Sequence, residues 1–209
     1  MNLMPAKSGR ELTRTTTLRE VIARSPACSC DKCSHGCTMG SGALAEEDHS
    51  RIAKHLMIKE EDLKERYLEP IEKFNTTLYR PKIMREKGKP YGRCLFLTDD
   101  RKCGIHPVKP RECRVAMGCS PEAEKLISWF TLNHYVNPED PESIRQYASH
   151  LKDCNKALPG SQLNDLVPDK EKLRKMLDYE LLTQEQDDKV KDTERMITKT
   201  KDVHKRKKR

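Results

Sequence analysis

Nine cysteines in 209 residues offer more chemistry than any other part of this sequence. Eight of them form two sets of four: Cys28, Cys30, Cys33 and Cys37, then Cys94, Cys103, Cys113 and Cys119. The ninth, Cys154, stands apart and reads as an ordinary small apolar residue. Four thiols within the ten residues 28–37, in a polar stretch, are poorly explained by packing. Soft thiolate sulfur selects zinc, copper(I) or iron–sulfur centres and disfavours hard cations. All eight cysteines are therefore predicted metal ligands, holding an iron–sulfur cluster, with a 4Fe–4S form among the options, or zinc. Disulfides are the next reading and require an oxidising compartment.

The spacing departs from several standard metal motifs. Zinc ribbons and fingers present two CxxC knuckles, or one with a later HxxxH, and here there is a single CxxC at Cys30 and Cys33. Bacterial ferredoxins use CxxCxxC with a remote Cys-Pro, whereas this run is CxxCxxxC and the remote cysteine sits in Gly118-Cys119-Ser120. A CxxxCxxC arrangement from Cys33 and Cys37 would need a cysteine at position 40, which is Gly40. The balance tips slightly toward an iron–sulfur cluster.

Other polar side chains flank the thiols. His35 and His106 could each replace a thiolate or donate to a sulfur, although loop histidines commonly do neither. Arg93, Arg111 and Arg114 adjoin Cys94 and Cys113, where positive charge would lower thiol pKa values; surface ion pairs are the plainer alternative. Asp99-Asp100 and Glu46-Glu47-Asp48 read as turn and helix-start acids rather than catalytic pairs. His150 and Cys154, four apart, make only an isolated pair.

These residues must be positioned by a small scaffold. Hydrophobic residues are 35% of the chain, aromatic residues 5% and charged residues 35%, with a mean hydropathy of −0.87. So little apolar surface excludes a large oily core and makes metal cross-linking valuable. The formal charge of +8 is concentrated at one end: residues 201–209 hold six basic and one acidic side chain, or +5 of the total. Such a run usually forms a solvated tail, with nucleic-acid binding a minor reading. Met1 to Arg24 contains no apolar run of secretory length, and no later segment reaches the roughly 20 apolar residues of a membrane span. The expected location is the cytoplasm, with reduced thiols and no membrane partner.

Along the chain, residues 1–25 read as a flexible arm, 26–154 as the cysteine-cluster domain, 155–183 as a linker and helix, and 184–209 as a charged, disordered basic tail. Cys28 to Gly42 reads as a loop. Leu44 to Met57 has acids first, bases later and an Ile52/Leu56 pair, predicting an amphipathic helix. Residues 60–69 predict a second, ended by Pro70. Leu95-Phe96-Leu97 is the one expected strand in a Pro- and Gly-rich stretch from Pro81 to Cys119. Ser120-Pro121-Glu122 and Asp140-Pro141-Glu142 are helix starts, and Leu173, Leu177 and Leu181 mark a last helix. The fold class is mainly α, a small irregular protein around a cysteine-rich, loop-dominated metal-binding core.

Taken in order, these residues resemble the YkgJ-type cysteine-cluster family of zinc- or iron-chelating domains. The resemblance covers residues 28 to 119. It consists of an N-terminal cysteine cluster, an acidic-start helix (Leu44-Ala45-Glu46-Glu47-Asp48), a cysteine followed by Leu-Phe-Leu at Cys94, and Cys103-Gly104-Ile105-His106-Pro107-Val108-Lys109-Pro110-Arg111-Glu112-Cys113-Arg114. The last segment is similar to the family's CxIYxxRPxxCR signature, with His106 for Tyr and Lys109-Pro110 for Arg-Pro. The first cluster, CxCxxCxxxC, departs from the family's CxxCxxCC. The resemblance implies metal or cluster binding with a redox, electron-transfer or structural role. Flagellin lysine N-methylases contain a similar domain, which raises a protein-lysine N-methyltransferase-like enzyme as an alternative; a nucleic-acid-associated zinc protein is the other. The two cysteine sets are expected to share one spatial site. The 56 residues between them (38–93) allow two helices to run out and return.

Overall fold

The computed structural model describes residues 11–153 and 157–178. Thr17 opens the first helix, α1 (Leu18–Arg24), with a capping box: its hydroxyl accepts from the Glu20 N–H, and the Glu20 carboxylate accepts from the Thr17 N–H. Residues 11–25 are thus not a loose arm, since Leu12 and Val21 are buried in the main core. The triple threonine ends in a cap, which converts a poor helix interior into a good helix start.

A second departure is α2 (Asp31–Met39), where the sequence predicts a loop. It has only two buried residues, Cys33 and Ser34, so it shows no apolar stripe to read. The acidic-start helix α3 (Glu46–Leu56) and α4 (Glu60–Tyr67) follow as expected, although α4 stops before Pro70. The chain then forms a hairpin, β1 (Leu68–Lys73) with β2 (Thr76–Pro81), in antiparallel register Leu68↔Pro81 to Lys73↔Thr76. Both turn residues, Phe74 and Asn75, have positive φ (50° and 59°), as a two-residue hairpin turn that follows the strand twist requires. A smaller pair joins β3 (Ile83–Arg85) to β4 (Gly92–Cys94). The strand expected at Leu95–Leu97 is instead a turn, with one isolated bridge between Leu97 and Cys103.

Pro107 lies in a 3-10 turn (His106–Val108), which leads into α5 (Arg111–Val115). Helices α6 (Ala123–His134), α7 (Pro141–Asp153), α8 (Leu163–Leu166) and α9 (Lys170–Leu177) complete the described chain. Leu181, Cys154 and the basic tail lie outside the described residues.

Three apolar clusters hold these elements. The largest joins α1, α5 and α6 through Val21, Val115, Leu126, Trp129 and Phe130. A second packs Ile52 and Ala53 of α3 with Leu63, Leu68 and Ile105, tying the hairpin to the Cys103 segment. The third, Ile144, Val167, Leu173 and Met176, seats α7 to α9 together. The result is a small, mainly α-helical protein with short β pairs and a cysteine-rich centre. Among the described residues, no helix is long and apolar enough to cross a membrane.

Candidate metal centre

Cys30 occupies the cap position of α2, and Cys33 lies in that helix's first turn. Both sulfurs therefore meet the positive end of a helix, where thiolates are favoured. Cys28 lies just upstream. The fourth thiol arrives from much later in the chain, on the loop between α5 and α6. Gly118 makes that approach possible: a Cβ there would stand 2.8 Å from the Lys32 carbonyl oxygen of α2. Cys119 then reaches Cys33 Sγ at 3.3 Å and Cys28 Sγ at 3.6 Å. The Sγ atoms of Cys28, Cys30, Cys33 and Cys119 all lie within 4.8 Å of one another. These separations exceed the roughly 2.05 Å of a disulfide, and all four cysteines are free.

The four sulfurs differ in proton affinity. Cys30 is pulled down to about 7, chiefly by the backbone N–H of Cys33 and then by Cys28. Burial pushes Cys33 up. Cys119 is pushed up to about 12, chiefly by its side-chain contact with Cys33 and then by burial. One thiolate is thus preformed near neutrality, while the Cys33 and Cys119 protons remain to be displaced by a ligand.

The other four clustered cysteines lie apart from this group. Cys37 in the last turns of α2, Cys94 at the end of β4, Cys103 and Cys113 on α5 border one cavity of about 330 Å³. Cys33 borders it as well. The two sequence sets therefore meet in space but exchange one member each, Cys37 for Cys119. Burial raises all four thiols of the second group, Cys94 to about 12. The Lys109 charge opposes this rise at Cys37 and Cys103.

The arginines beside the cysteines have other partners. Arg114 donates to the Ser25 carbonyl (3.1 and 3.3 Å) and to Ile22 O, closing the C-terminus of α1. Arg111 pairs with Glu47 at 2.7 Å, and Arg93 clamps Leu97 O and Asp99. His35 is exposed and His106 has a buried Nε2 without a partner; neither belongs to the four-thiol group. The cation that sequence reasoning passed over is Lys109, only 6% exposed, which borders the thiol-lined cavity. Its place in the Lys109-Pro110 step of the signature was the available signal.

Comparison with known proteins agrees with this chemistry. Residues 29–130 match the family described as "CxxCxxCC: Putative zinc- or iron-chelating domain". That region, just under half of the chain, is similar to the CxxCxxCC family. The match takes in seven of the eight clustered cysteines and leaves Cys28 just outside. No curated protein and no solved structure matches the chain. The chain has a clustered-cysteine metal-binding site suited to zinc or iron.

Proposed function

We propose that Cys28, Cys30, Cys33 and Cys119 bind one tetrahedral metal ion, zinc in the first instance, and that this ion staples the start of the domain to the α5–α6 loop. The observation that carries the reading is the mutual proximity of all four sulfurs. Four thiolates at about 2.3 Å from a zinc ion stand about 3.8 Å apart, and the pairs measured at 3.3 and 3.6 Å sit close to that edge. An iron–sulfur cube places iron and sulfide atoms between its thiolates and needs a wider ring. A single iron in the same tetrahedron is the other occupant this spacing accepts.

The role is structural before it is anything else. The bridged segments are 86 to 91 residues apart, and binding at such a site contributes directly to folding. Cytoplasmic location follows from the same reading, since it needs reduced thiols. The methylase alternative rests on resemblance, and the nucleic-acid alternative on residues 201–209, which lie outside the described residues.

Purification without oxygen, with zinc, iron and acid-labile sulfide counted per chain, tests the proposal. One zinc or iron that is lost in both Cys33→Ala and Cys119→Ala, with a lowered melting temperature, is the expected result. Retention of that ion in both variants, or unchanged melting, overturns it.

A further inference from the structure

We propose that the cavity bordered by Cys37, Cys94, Cys103 and Cys113 is a second metal centre, built for a four-thiolate iron–sulfur cluster with Lys109 as its internal counter-charge. Four separate elements deliver these thiols: α2, β4, the segment after the Leu97–Cys103 bridge, and α5. Such convergence on one void is not a by-product of local sequence, since the four span residues 37 to 113.

Size separates this centre from the compact one. A volume of about 330 Å³ falls at the lower end of the roughly 300–1,000 Å³ of small-ligand pockets and is far too large for one tetrahedral ion. Much of the remaining wall is apolar, with Pro81, Phe96, Ile105 and Ala116. Such a wall limits water access to bound sulfide. Gly42 keeps the wall clear of a ligand atom, because a Cβ there would stand 2.8 Å from Cys113 Sγ.

Charge supplies an independent argument. Lysines are almost never fully buried unless paired, yet Lys109 is 6% exposed and no described carboxylate forms an ion pair with it. The other charged residue of the wall, Glu112, is engaged by Lys73 at 2.7 Å, by Tyr135 at 2.8 Å and by the Ala43 N–H. Two ferrous ions, two ferric ions and four sulfides give a core of charge +2. Four thiols that lose four protons on forming four iron–sulfur bonds bring the total to −2. The Lys109 ammonium on the cavity wall offsets half of that charge, while a chamber of neutral thiols gives it no counter-ion.

The full chain, purified and reconstituted anaerobically with ferrous iron, ferric iron and sulfide, tests the proposal. The expected wild-type result is about four irons and four sulfides per chain with a visible charge-transfer absorption, beside the separate ion of the compact site. Cys113→Ala should lower iron and sulfide at least fivefold while the compact-site ion stays; Cys119→Ala should do the reverse. Cys37→Ser, in a less buried position, repeats the first comparison should Cys113→Ala misfold. Lys109→Met should keep the iron but move the reduction potential to more negative values. Wild-type protein that takes up no acid-labile sulfide, or full iron and sulfide in both Cys113→Ala and Cys37→Ser, overturns the cluster; an unmoved potential in Lys109→Met overturns the counter-charge. Loss of the compact-site ion alone refutes the reading of that site and leaves this one standing.

Discussion

Replacing Asp48 should loosen the frame that holds Cys113. This carboxylate is fully buried on α3. Its Oδ2 accepts from the Ala45 N–H at 3.1 Å and from the Arg111 N–H at 3.0 Å, and its Oδ1 accepts from Arg51 Nη2 at 2.5 Å. One side chain therefore caps α3 and ties down the first residue of α5, two positions before Cys113. Loss of a helix cap costs about 1 kcal/mol. Breaking a buried ion pair costs about 3–5 kcal/mol, discounted here because the Arg51 side chain is 33% exposed and can rehydrate. Asp48→Ala should then cost about 3 kcal/mol in all, or roughly 6–12 °C of melting temperature at this size. Asp48→Asn keeps an acceptor for the two backbone N–H groups and loses only the arginine, so its cost should be about half as large. Urea unfolding at saturating zinc, followed through Trp129, the sole and buried tryptophan, measures both. A cost for Asp48→Ala below about 1 kcal/mol, or equal costs for the two variants, would refute the reasoning.

Gly118→Ala should push Cys119 away from α2 and weaken zinc binding at least tenfold, since the added Cβ meets the Lys32 carbonyl at 2.8 Å; competition against a chromogenic chelator reads this, and unchanged affinity contradicts it. Zinc affinity should fall as pH falls, because the raised Cys33 and Cys119 thiols must give up their protons. Calorimetry in buffers of different ionisation enthalpy should count about two or more protons released per ion, and pH-independent binding would count against the site. Glu69 is held below the usual carboxylate range by Arg85 and then Arg80, so its contribution of about 1 kcal/mol should be present above the unfolded pKa of about 4.3 and vanish as pH falls through the lower folded value. Glu69→Gln should accordingly destabilise the protein at neutral pH and make no difference near pH 2; an equal cost at both would be inconsistent with that shift.

Much of the helical frame is legible in the sequence because local signals and burial agree there. The acids that open α3, its Ile52 on the core side, and the stripe of Ile144 and Tyr147 on α7 all place helices within two or three residues of those observed. Helix α2 is hidden because its partners are sulfurs and a glycine loop, not an apolar face. The β1–β2 hairpin is hidden because its turn is Phe74-Asn75 rather than Asn-Gly; Phe74 is held at positive φ while its ring packs against Tyr147 and His150. The eight clustered cysteines stand out from composition alone. Their division does not, since it depends on α2 being a helix: Cys33 and Cys37, four residues apart, then lie on neighbouring turns, and Cys33 borders both groups. Lys109 is marked in the sequence by its place in the Lys109-Pro110 step, but its burial is revealed only by tertiary packing.

The long reach of Cys119 also sets a timetable for synthesis. Cys28, Cys30 and Cys33 leave the ribosome together, and their fourth partner is made 86 residues after Cys33. At about 5–20 residues per second that is a delay of roughly 4–17 s. During this interval the nascent chain presents three closely spaced thiols, one of them with its pKa drawn down in the folded helix cap, and a fourth, Cys37, that the finished fold assigns to the other group. An ion bound in that interval would take Cys37 or a solvent ligand as its fourth partner. Emergence of the α5–α6 loop then replaces that ligand with Cys119, so that correct metallation and completion of the domain become the same event.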